Sequence, residues 1–275
     1  MSRLAIDIGG TWLRYELKGD EEVCGRVRSN ETGLKAFIQA MLKKHPDIDK
    51  IAVSYAGQVF DGSILSAPNI EVDEPDIADW AEARYGIELI LENDLNCAAL
   101  AESVYWGESY VAALYAGTGL GAGIVQKGEI CRGFRGIAGE IGHVPFKPAP
   151  FRCGCGKNNC LELYASGGGL AKWREYLGCD IEDLGQMAQG DDPCRQIAEQ
   201  FTEALLHAAA TLLTLCNPKI LVLGGGVVAA NPWLIDTLKT RIPDYALAAS
   251  LEGARIEISH LSDASLEGAK ILLEG

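Results

Sequence analysis

The clearest candidate for chemistry is a cluster of one histidine and three cysteines in the middle of the chain. His143, Cys153, Cys155 and Cys160 follow the spacing His-x9-Cys-x-Cys-x4-Cys. Three thiolates and an imidazole complete a tetrahedral ligand set, which is the usual composition of a structural zinc site. A disulfide within Cys-x-Cys would close a strained ring, and the cluster lacks the Cys-x-x-Cys of redox motifs. A lone histidine is more often a core residue than a ligand, but its closeness to three thiols favours zinc.

Two glycine-rich turns are candidates for holding phosphate. "AIDIGGTWLRYEL" and "ALYAGTGLGAGIV" each predict a strand, a turn and a second strand, with Thr11 and Thr118 at matching places. The P-loop and the dinucleotide fingerprint both require a helix directly after the glycines, so neither fits. Backbone N–H groups of such turns can converge on phosphate oxygens. Either turn alone could be an ordinary β-turn, but the pair, together with Asp7, favours phosphate binding.

Two further sites follow predicted strands. Asn93 and Asp94 end the strand "ELILEND", and the carboxyl end of a strand is where α/β folds commonly place chemistry. Asp94 could equally cap the helix that starts at Leu95. "LGGGV", with Gly224 to Gly226, would let a flat ligand approach the backbone, or would form a simple strand-to-helix turn.

Composition limits the classes of protein. The 275 residues are 48% hydrophobic and 23% charged, which is ordinary for a globular chain of one large or two medium domains. The net charge of −14 argues against nucleic acid as a partner. The apolar run at the N-terminus is too short for a signal peptide. No stretch of the sequence reaches the length of about twenty apolar residues that a helix needs to span a bilayer. We therefore expect a cytoplasmic protein with no membrane partner.

The other six cysteines are scattered singly through apolar or helical contexts. We expect them to be buried, reduced, small side chains. They are Cys24, Cys97, Cys131, Cys179, Cys194 and Cys216.

The motifs together resemble a known family. In order along the chain, "DIGGT", "END", "GTGLGAG", "GIAGEIGH" and "CGCGKNNCLE" are similar to those of the ROK family. Its members include bacterial glucokinases, fructokinases, N-acetylmannosamine and N-acetylglucosamine kinases, and sugar-responsive repressors. The resemblance covers Leu4 to about Gly226.

The resemblance implies a fold, and the alternation of predicted strands and helices agrees with it. That fold is the actin-like ATPase (sugar kinase) fold, with two ribonuclease-H-like α/β domains and an interdomain cleft. We expect a small N-terminal α/β domain of residues 1–107 plus 263–275. Residues 108–262 would form a larger C-terminal α/β domain that carries the zinc site. The family also implies a homodimer.

The resemblance also implies roles for individual residues. Asp94 would be the general base, and Asp7 would help to position Mg²⁺ at the phosphates of ATP. The phosphate loops would be Gly9, Gly10, Thr11, Gly117, Thr118, Gly119 and Gly121, and Gly224 and Gly225 would lie by the adenosine. The sugar would contact Asn69, Asn93, Asp94, Glu140, His143 and Glu162. The zinc would hold His143, which can use its second ring nitrogen for a sugar hydroxyl.

Three positions depart from the family pattern. Trp12 replaces the lysine common after "GGT", and Asn159 stands where a glycine usually precedes the third cysteine. "SYAG" has Ala56 where the family's "GxPG" segment has proline. The changes at Trp12 and Ala56 leave ATP chemistry plausible but blur the identity of the sugar.

The favoured function is ATP-dependent phosphorylation of a hexose, with glucose first, at its 6-hydroxyl. The alternatives are an N-acetylmannosamine or N-acetylglucosamine kinase and a non-catalytic sugar sensor. The sensor is disfavoured because "DIGGT" begins at the seventh residue, which leaves no room for the helix-turn-helix of the repressors. A zinc module that binds protein or nucleic acid is a third class, which the acidic charge and Asp94 disfavour.

Overall fold

The computed structural model describes residues 1–19 and 22–275, which divide into two compact units. The first unit comprises Met1–Val104, Ile130–Ala138 and Leu261–Gly275, and the second comprises Tyr105–Glu129 and Gly139–His260. The segment Ile130–Ala138 therefore packs with the first unit, although its place in the sequence is inside the second predicted domain. The predicted boundaries themselves stay a prediction.

The first unit contains a five-stranded sheet and a small hairpin. The sheet is formed by β1 (Ser2–Ile8), β2 (Trp12–Lys18), β3 (Val23–Arg28), β4 (Ile48–Tyr55) and β7 (Glu88–Asn93), and the hairpin by β5 (Gln58–Phe60) and β6 (Ser63–Ser66). The order in the sheet is β3-β2-β1-β4-β7, with β1 antiparallel to β2 and parallel to β4, which is in turn parallel to β7. The helices are α1 (Leu34–Lys44), α2 (Ile77–Tyr85), α3 (Asp94–Trp106), whose last two residues belong to the second unit, and, from the end of the chain, α10 (Ala264–Leu272).

The second unit repeats this topology. Its strands are β8 (Tyr110–Ala116), β9 (Leu120–Gln126), β10 (Glu129–Ile130), β11 (Ile220–Gly224) and β12 (Arg255–Ile258), and the second residue of β10 already belongs to the first unit. The order in the sheet is β10-β9-β8-β11-β12, with β8 antiparallel to β9 and parallel to β11, and β11 parallel to β12. The helices are α4 (Gly167–Leu177), α5 (Leu184–Gln189), α6 (Cys194–Cys216), α7 (Gly226–Ala230), α8 (Trp233–Arg241) and α9 (Ala248–Leu251).

The apolar pattern of the central strands follows from their cover on both faces. In β4 the residues from Ile51 to Tyr55 are all buried, and all five residues of β11 are buried. Parallel strands with helices on both faces need such continuous apolar runs. Both predicted strand–turn–strand openings are observed, and each places its glycine turn at the end of a sheet's first strand.

The small residues Ala5 and Ala52 of the first sheet pack against Leu266 and Ala269 of α10 and against Leu273, which directly follows this helix. Gly268 of α10 lies directly on α3, where a Cβ at Gly268 would be 2.0 Å from the carbonyl oxygen of Cys97. The two helices can therefore touch only because residue 268 has no side chain.

The expectation for the six scattered cysteines was wrong in part. Cys97 is buried, but Cys24 is exposed on β3. Cys179 and Cys194 form a disulfide with a Cα–Cα distance of 5.4 Å. The pairing depends on how the segment around α5 folds back onto the start of α6, which single-residue context does not reveal.

Across residues 1–19 and 22–275, we find no helix that combines the length and apolar character needed to cross a membrane.

Candidate functional site

Asp7 lies at the end of β1 and is 6% exposed. Its Oδ1 accepts a hydrogen bond from Ser54 Oγ at 2.8 Å, and its Oδ2 is 3.1 Å from Arg14 Nη1. Burial raises the pKa of Asp7, and the hydroxyl of Ser54 and the charge of Arg14 lower it, with the effect of burial prevailing. The first glycine turn therefore begins beside a buried carboxylate that already holds one cationic side chain.

The turn itself is tight. The N–H of Gly9 donates to the carbonyl of Trp12 at 3.0 Å, so Gly10 and Thr11 form the exposed tip. A Cβ at Gly10 would be 2.9 Å from the Cβ of Asn69. The turn and Asn69, predicted separately for phosphate and for sugar, are thus in contact within the first unit.

Asn93 and Asp94 stand at the junction of β7 and α3. The amide oxygen of Asn93 accepts from the N–H of Leu95 at 2.9 Å and of Asn96 at 3.2 Å, so Asn93 caps the helix. Asp94 is the first helical residue, and its Oδ1 accepts from Asn93 Nδ2 at 3.1 Å and from Leu95 N–H at 3.0 Å. The sequence had suggested Asp94 itself as the cap, and the structure assigns that role to Asn93.

Sequence reasoning missed the residue just before this pair. Glu92 is 4% exposed and forms an ion pair with Arg132, whose Nε lies 2.5 Å from Glu92 Oε2. Its other oxygen accepts from Asn96 Nδ2 at 2.9 Å and from the N–H of Asn93 at 3.0 Å. The signal available in the sequence was a glutamate that directly follows the apolar residues 89–91 of one strand, because a carboxylate that is buried with such a strand needs a partner.

The second glycine turn, in the second unit, closes on itself through the N–H of Gly117, which donates to Gly119 at 2.9 Å. The start of α4 covers it, because the N–H groups of Gly167 and Gly168 donate to the carbonyls of Gly117 and Thr118 at 2.8 and 3.0 Å. A Cβ at either α4 glycine would lie 3.0 Å from those carbonyl oxygens. Sequence reasoning missed this close approach of the first glycines of α4 to the turn.

Glu162 lies against this turn. Its Oε2 accepts from the N–H of Leu120 at 3.1 Å, and a Cβ at Gly119 would be 2.6 Å from the same oxygen. The other oxygen, Oε1, is 3.4 Å from Cys153 Sγ. Glu162 therefore contacts both the glycine turn and the thiol cluster. Gly121 follows on β9, where it pairs with Tyr115 of β8.

Two glycines bring the segment with Glu140 and His143 onto β9. A Cβ at Gly139 would be 2.1 Å from the carbonyl oxygen of Ala122, and one at Gly142 would be 2.1 Å from that of Leu120. Gly139 also has φ +94°, a region that disfavours other residues. The glycine spacing of "GIAGEIGH" thus fixes the position of Glu140 and His143.

The predicted metal ligands come together in the second unit. The four ligand atoms of His143, Cys153, Cys155 and Cys160 all lie within 4.8 Å of one another. The Nδ1 of His143 is 3.5 Å from Cys153 Sγ, and its Nε2 is 3.6 Å from Glu140 Oε2. One ring nitrogen therefore faces the thiols and the other faces a carboxylate that was predicted to bind sugar.

The chemistry of these thiols fits a bound cation. Burial raises the pKa of Cys153 to about 12 and also raises that of Cys160, whereas a backbone hydrogen bond from Lys157 lowers that of Cys155. Without a cation, Cys153 and Cys160 are neutral thiols near pH 7. A divalent ion at the centre would hold them as thiolates, which are the ligating form.

Gly224 and Gly225 make a strand-to-helix turn between β11 and α7. A Cβ at Gly224 would be 2.1 Å from the ring of Tyr115, and one at Gly225 would be 2.5 Å from the carbonyl oxygen of Ala116. Gly225 also has φ +86°. These contacts within the second unit explain why both positions are glycine, whether or not a ligand binds there.

The departures from the family pattern are accommodated locally. Asn159 is not among the residues with positive φ, so a glycine is not required there. The ring of Trp12 lies under the guanidinium groups of Arg26 and Arg28, with Cζ atoms 4.4 and 4.1 Å from its centre. In "SYAG", the carbonyl of Gly57 accepts from Asn93 Nδ2 at 3.0 Å, so this segment helps to orient Asn93 without proline.

Comparison with known proteins gives a consistent result. The sequence pattern of the ROK family matches residues 3–275. A glucokinase from Halalkalibacterium halodurans is 32% identical, over 98% of this chain and 94% of its own length. An N-acetylmannosamine kinase from Shigella boydii is 28% identical, over 100% of this chain and 99% of its own length.

The fold comparison agrees. A crystal structure of a ROK family glucokinase from Streptomyces griseus, in complex with glucose and AMPPNP, superposes with a TM-score of 0.79 at 26% identity. The match covers 100% of both chains. The predicted α/β fold of the actin-like ATPase type, with two ribonuclease-H-like domains, is confirmed.

Proposed function

Because the chain belongs to the ROK family and is an ATP-dependent sugar kinase, we propose that it phosphorylates the 6-hydroxyl of a hexose, with glucose as the favoured substrate. N-acetylmannosamine and N-acetylglucosamine are the alternative substrates, because relatives named as kinases of these two sugars have a sequence identity to this chain comparable to that of the glucokinases.

The observation that carries the proposal is the placement of Asp94. A half-buried carboxylate stands at the start of α3, held through Oδ1 by Asn93 and by the N–H of Leu95. Phosphoryl transfer to an alcohol needs a carboxylate that accepts the hydroxyl proton as the oxygen attacks the γ-phosphate. We assign this role to Asp94, and assign sugar hydroxyl contacts to Asn69, Asn93, Asp94, Glu140, His143 and Glu162.

The phosphates of ATP would be bound by the two glycine turns. The exposed tips at Gly10–Thr11 and at Thr118 offer backbone N–H groups and hydroxyls. Asp7 would help to position Mg²⁺ at these phosphates, where the bound ion would neutralise negative charge. The remaining predicted contacts are those of Gly9, Gly117, Gly119 and Gly121 with phosphate and of Gly224 and Gly225 with adenosine.

The test is ADP release with Mg-ATP against glucose, mannose, fructose, N-acetylglucosamine and N-acetylmannosamine. We expect turnover that is highest on glucose and that falls about 100- to 10,000-fold in Asp94→Asn, the usual contribution of a general base. Asp79→Asn is the matched control, because Asp79 is an exposed carboxylate in the first turn of another helix, α2.

Other results have definite meanings. A preference for an N-acetylated hexosamine would overturn the choice of glucose and keep the kinase reaction. Absence of turnover on all five sugars, with the protein folded, would leave the non-catalytic sugar sensor as the better hypothesis. Equal activity in Asp94→Asn and wild type would remove Asp94 from the role of base.

We also propose that His143, Cys153, Cys155 and Cys160 bind one structural Zn²⁺. The donor set of three sulfurs and one nitrogen is the composition that zinc prefers, and the donor atoms converge. Bound zinc would fix the ring of His143 through Nδ1 and leave Nε2 for the sugar. It would also stabilise the loop from Val144 to Leu161, whose ends pair through Leu161 N–H and Val144 O at 3.0 Å.

Metal analysis of the purified protein tests this proposal. We expect about one zinc per chain, lost in Cys160→Ser, and retained in Cys24→Ser, which alters an exposed cysteine on β3. A folded wild-type protein without bound metal, or equal zinc in both variants, would contradict the site.

The homodimer remains a prediction from the resemblance, and the cytoplasmic location remains a prediction from the composition of the sequence. Sedimentation equilibrium would test the first, since a mass of 29.4 kDa for the chain predicts about twice that value for the dimer.

A further inference from the structure

We propose that Arg132 is a positioning residue for the catalytic base: it neutralises Glu92 and so holds Asn93 and the start of α3, and through them Asp94. The inference rests on the proposed function, because it assigns Asp94 as the base. The proposed route from Arg132 to Asp94 runs through Glu92 and Asn93.

The pair is built around a buried carboxylate. The side chain of Glu92 is 5% exposed, and that of Arg132 is 51% exposed. The Nε of Arg132 donates to Glu92 Oε2 at 2.5 Å, which is a charge-assisted hydrogen bond. Removing one partner of a buried ion pair leaves an uncompensated charge, so Glu92 depends strongly on Arg132.

The sheet explains why this carboxylate needs its own cation. Asp7 pairs in register with Ser54 on β4, and Ser54 pairs with Glu92 on β7. Residues in register on adjacent strands share a face, so Asp7 and Glu92 are two buried carboxylates in one row. Each carboxylate has its own cationic partner: Arg14 forms an ion pair with Asp7, and Arg132 forms one with Glu92.

A short chain of hydrogen bonds connects Glu92 to Asp94. Glu92 Oε1 accepts from the N–H of Asn93 at 3.0 Å and from Asn96 Nδ2 at 2.9 Å. The side chain of Asn93 in turn donates to Asp94 Oδ1 at 3.1 Å. If the side chain of Glu92 turns away, Asn93 and Asn96, which flank Asp94 in sequence, lose the carboxylate oxygen that accepts their hydrogen bonds.

Arg132 belongs to a segment that is docked on the first unit. The N–H of Ala138 donates to the carbonyl of Arg132 at 3.1 Å, which closes the loop. A Cβ at Gly136 would be 2.4 Å from the carbonyl oxygen of Val59, so the loop also lies against β5. Neither contact uses the side chain of Arg132. A substitution of that side chain can therefore act on Glu92 without releasing the whole loop.

The kinetic test compares Arg132→Ala, Arg132→Lys and Arg135→Ala. We expect Arg132→Ala to lower kcat about 10- to 100-fold, the range for a catalytic group displaced by about 1 Å, with less than threefold change in the KM for ATP. Arg132→Lys, which keeps one charged donor, should recover most of this loss, as should guanidinium ion added to Arg132→Ala. Arg135→Ala removes an exposed arginine from the same loop and should stay within twofold of wild type.

A double-variant cycle tests whether Arg132 acts through Glu92. Glu92→Gln should also lower kcat, and the double variant Glu92→Gln/Arg132→Ala should be no slower than the slower single variant. Additive losses would overturn the assigned route. Wild-type kcat in Arg132→Ala, or an equal loss in Arg135→Ala, would overturn the proposal itself.

Amide hydrogen exchange separates this proposal from the proposed function. In Arg132→Ala we expect the amides of Asn93 and Asn96 to exchange at least tenfold faster, with unchanged protection in β4. Unchanged protection at Asn93 and Asn96 would overturn the positioning role even in an active enzyme. If wild-type protein phosphorylated no sugar, the proposed function would fail, and the exchange result would still decide whether Arg132 fixes the start of α3.

Discussion

At the scale of single residues, Asp7 places a negative charge in a poorly solvated position. Its pKa is raised because burial outweighs the favourable contacts with Ser54 and Arg14. Between the ordinary pKa and the raised one, the folded state binds more protons than the unfolded state. Stability therefore falls as the pH rises through this window, and the cost of the ionised carboxylate is present in full above it.

Replacing Asp7 should therefore stabilise the protein and disable the enzyme. We expect Asp7→Asn to raise Tm at pH 7 by about 2 °C, the shift that ~1 kcal/mol produces in a chain of this size, and to have little effect below pH 4. An amide can still accept from Arg14 and donate to Ser54. Activity should fall on the order of 100-fold, as for other lost electrostatic groups at phosphates.

Thermal denaturation at several pH values, beside steady-state kinetics, checks this expectation. Asp263→Asn is the control, because Asp263 is a partly exposed partner of Arg14, 3.5 Å away, and should change stability by less than ~0.5 kcal/mol. A Tm of Asp7→Asn below that of wild type at pH 7 would mean that Arg14 compensates Asp7 fully.

At the scale of secondary-structure elements, close contact between helices depends on missing side chains. In α10, Gly268→Ala should lower the stability by roughly 1 to 3 kcal/mol, although alanine favours helices over glycine by about 1 kcal/mol. The reason is that its Cβ would lie 2.0 Å from backbone of α3. Gly226→Ala in α7, where nothing lies within 4 Å, should be neutral or stabilising in urea denaturation.

The disulfide between Cys179 and Cys194 is a second feature at this scale. It closes a loop with a sequence separation of 15 that contains α5. Closing a loop of this size restricts the unfolded chain, so the double variant Cys179→Ser/Cys194→Ser should lose about 3 kcal/mol. Denaturation of both proteins under non-reducing conditions measures the loss. Two free thiols detected at these positions in the untreated wild type would instead contradict the pairing.

At the scale of the whole molecule, ligand binding should be visible as stability. A ligand at one hundred times its Kd that binds only the folded state adds about 2.7 kcal/mol, or roughly 5 °C in Tm for a chain of this size. We expect glucose with Mg-AMPPNP to produce this shift in both wild type and Asp94→Asn. Mannitol, a linear polyol, is the control. A shift that is absent only from Asp94→Asn would mean that the loss of activity in this variant reflects lost sugar binding and is no evidence for proton transfer.

The sequence alone determined the features that depend on residue type and spacing. The spacing of one histidine and three cysteines, the two glycine turns and the placement of Asp94 at the end of a strand are local patterns that can be read from residue type alone. The two similar strand–turn–strand openings also followed from the sequence, because each combines two apolar strand patterns with a glycine turn. The family resemblance then connected these patterns with one reaction.

Only the tertiary structure decided the partners of buried polar groups. Glu92 and Arg132 are forty positions apart, and nothing local predicts that a loop of the chain returns to bring them together. The same holds for Cys179 with Cys194 and for Gly268 with Cys97. The packing of elements against one another decides whether a charge is buried and whether two backbones approach closely. Local sequence specifies the surface of each element but does not specify which other element packs against that surface.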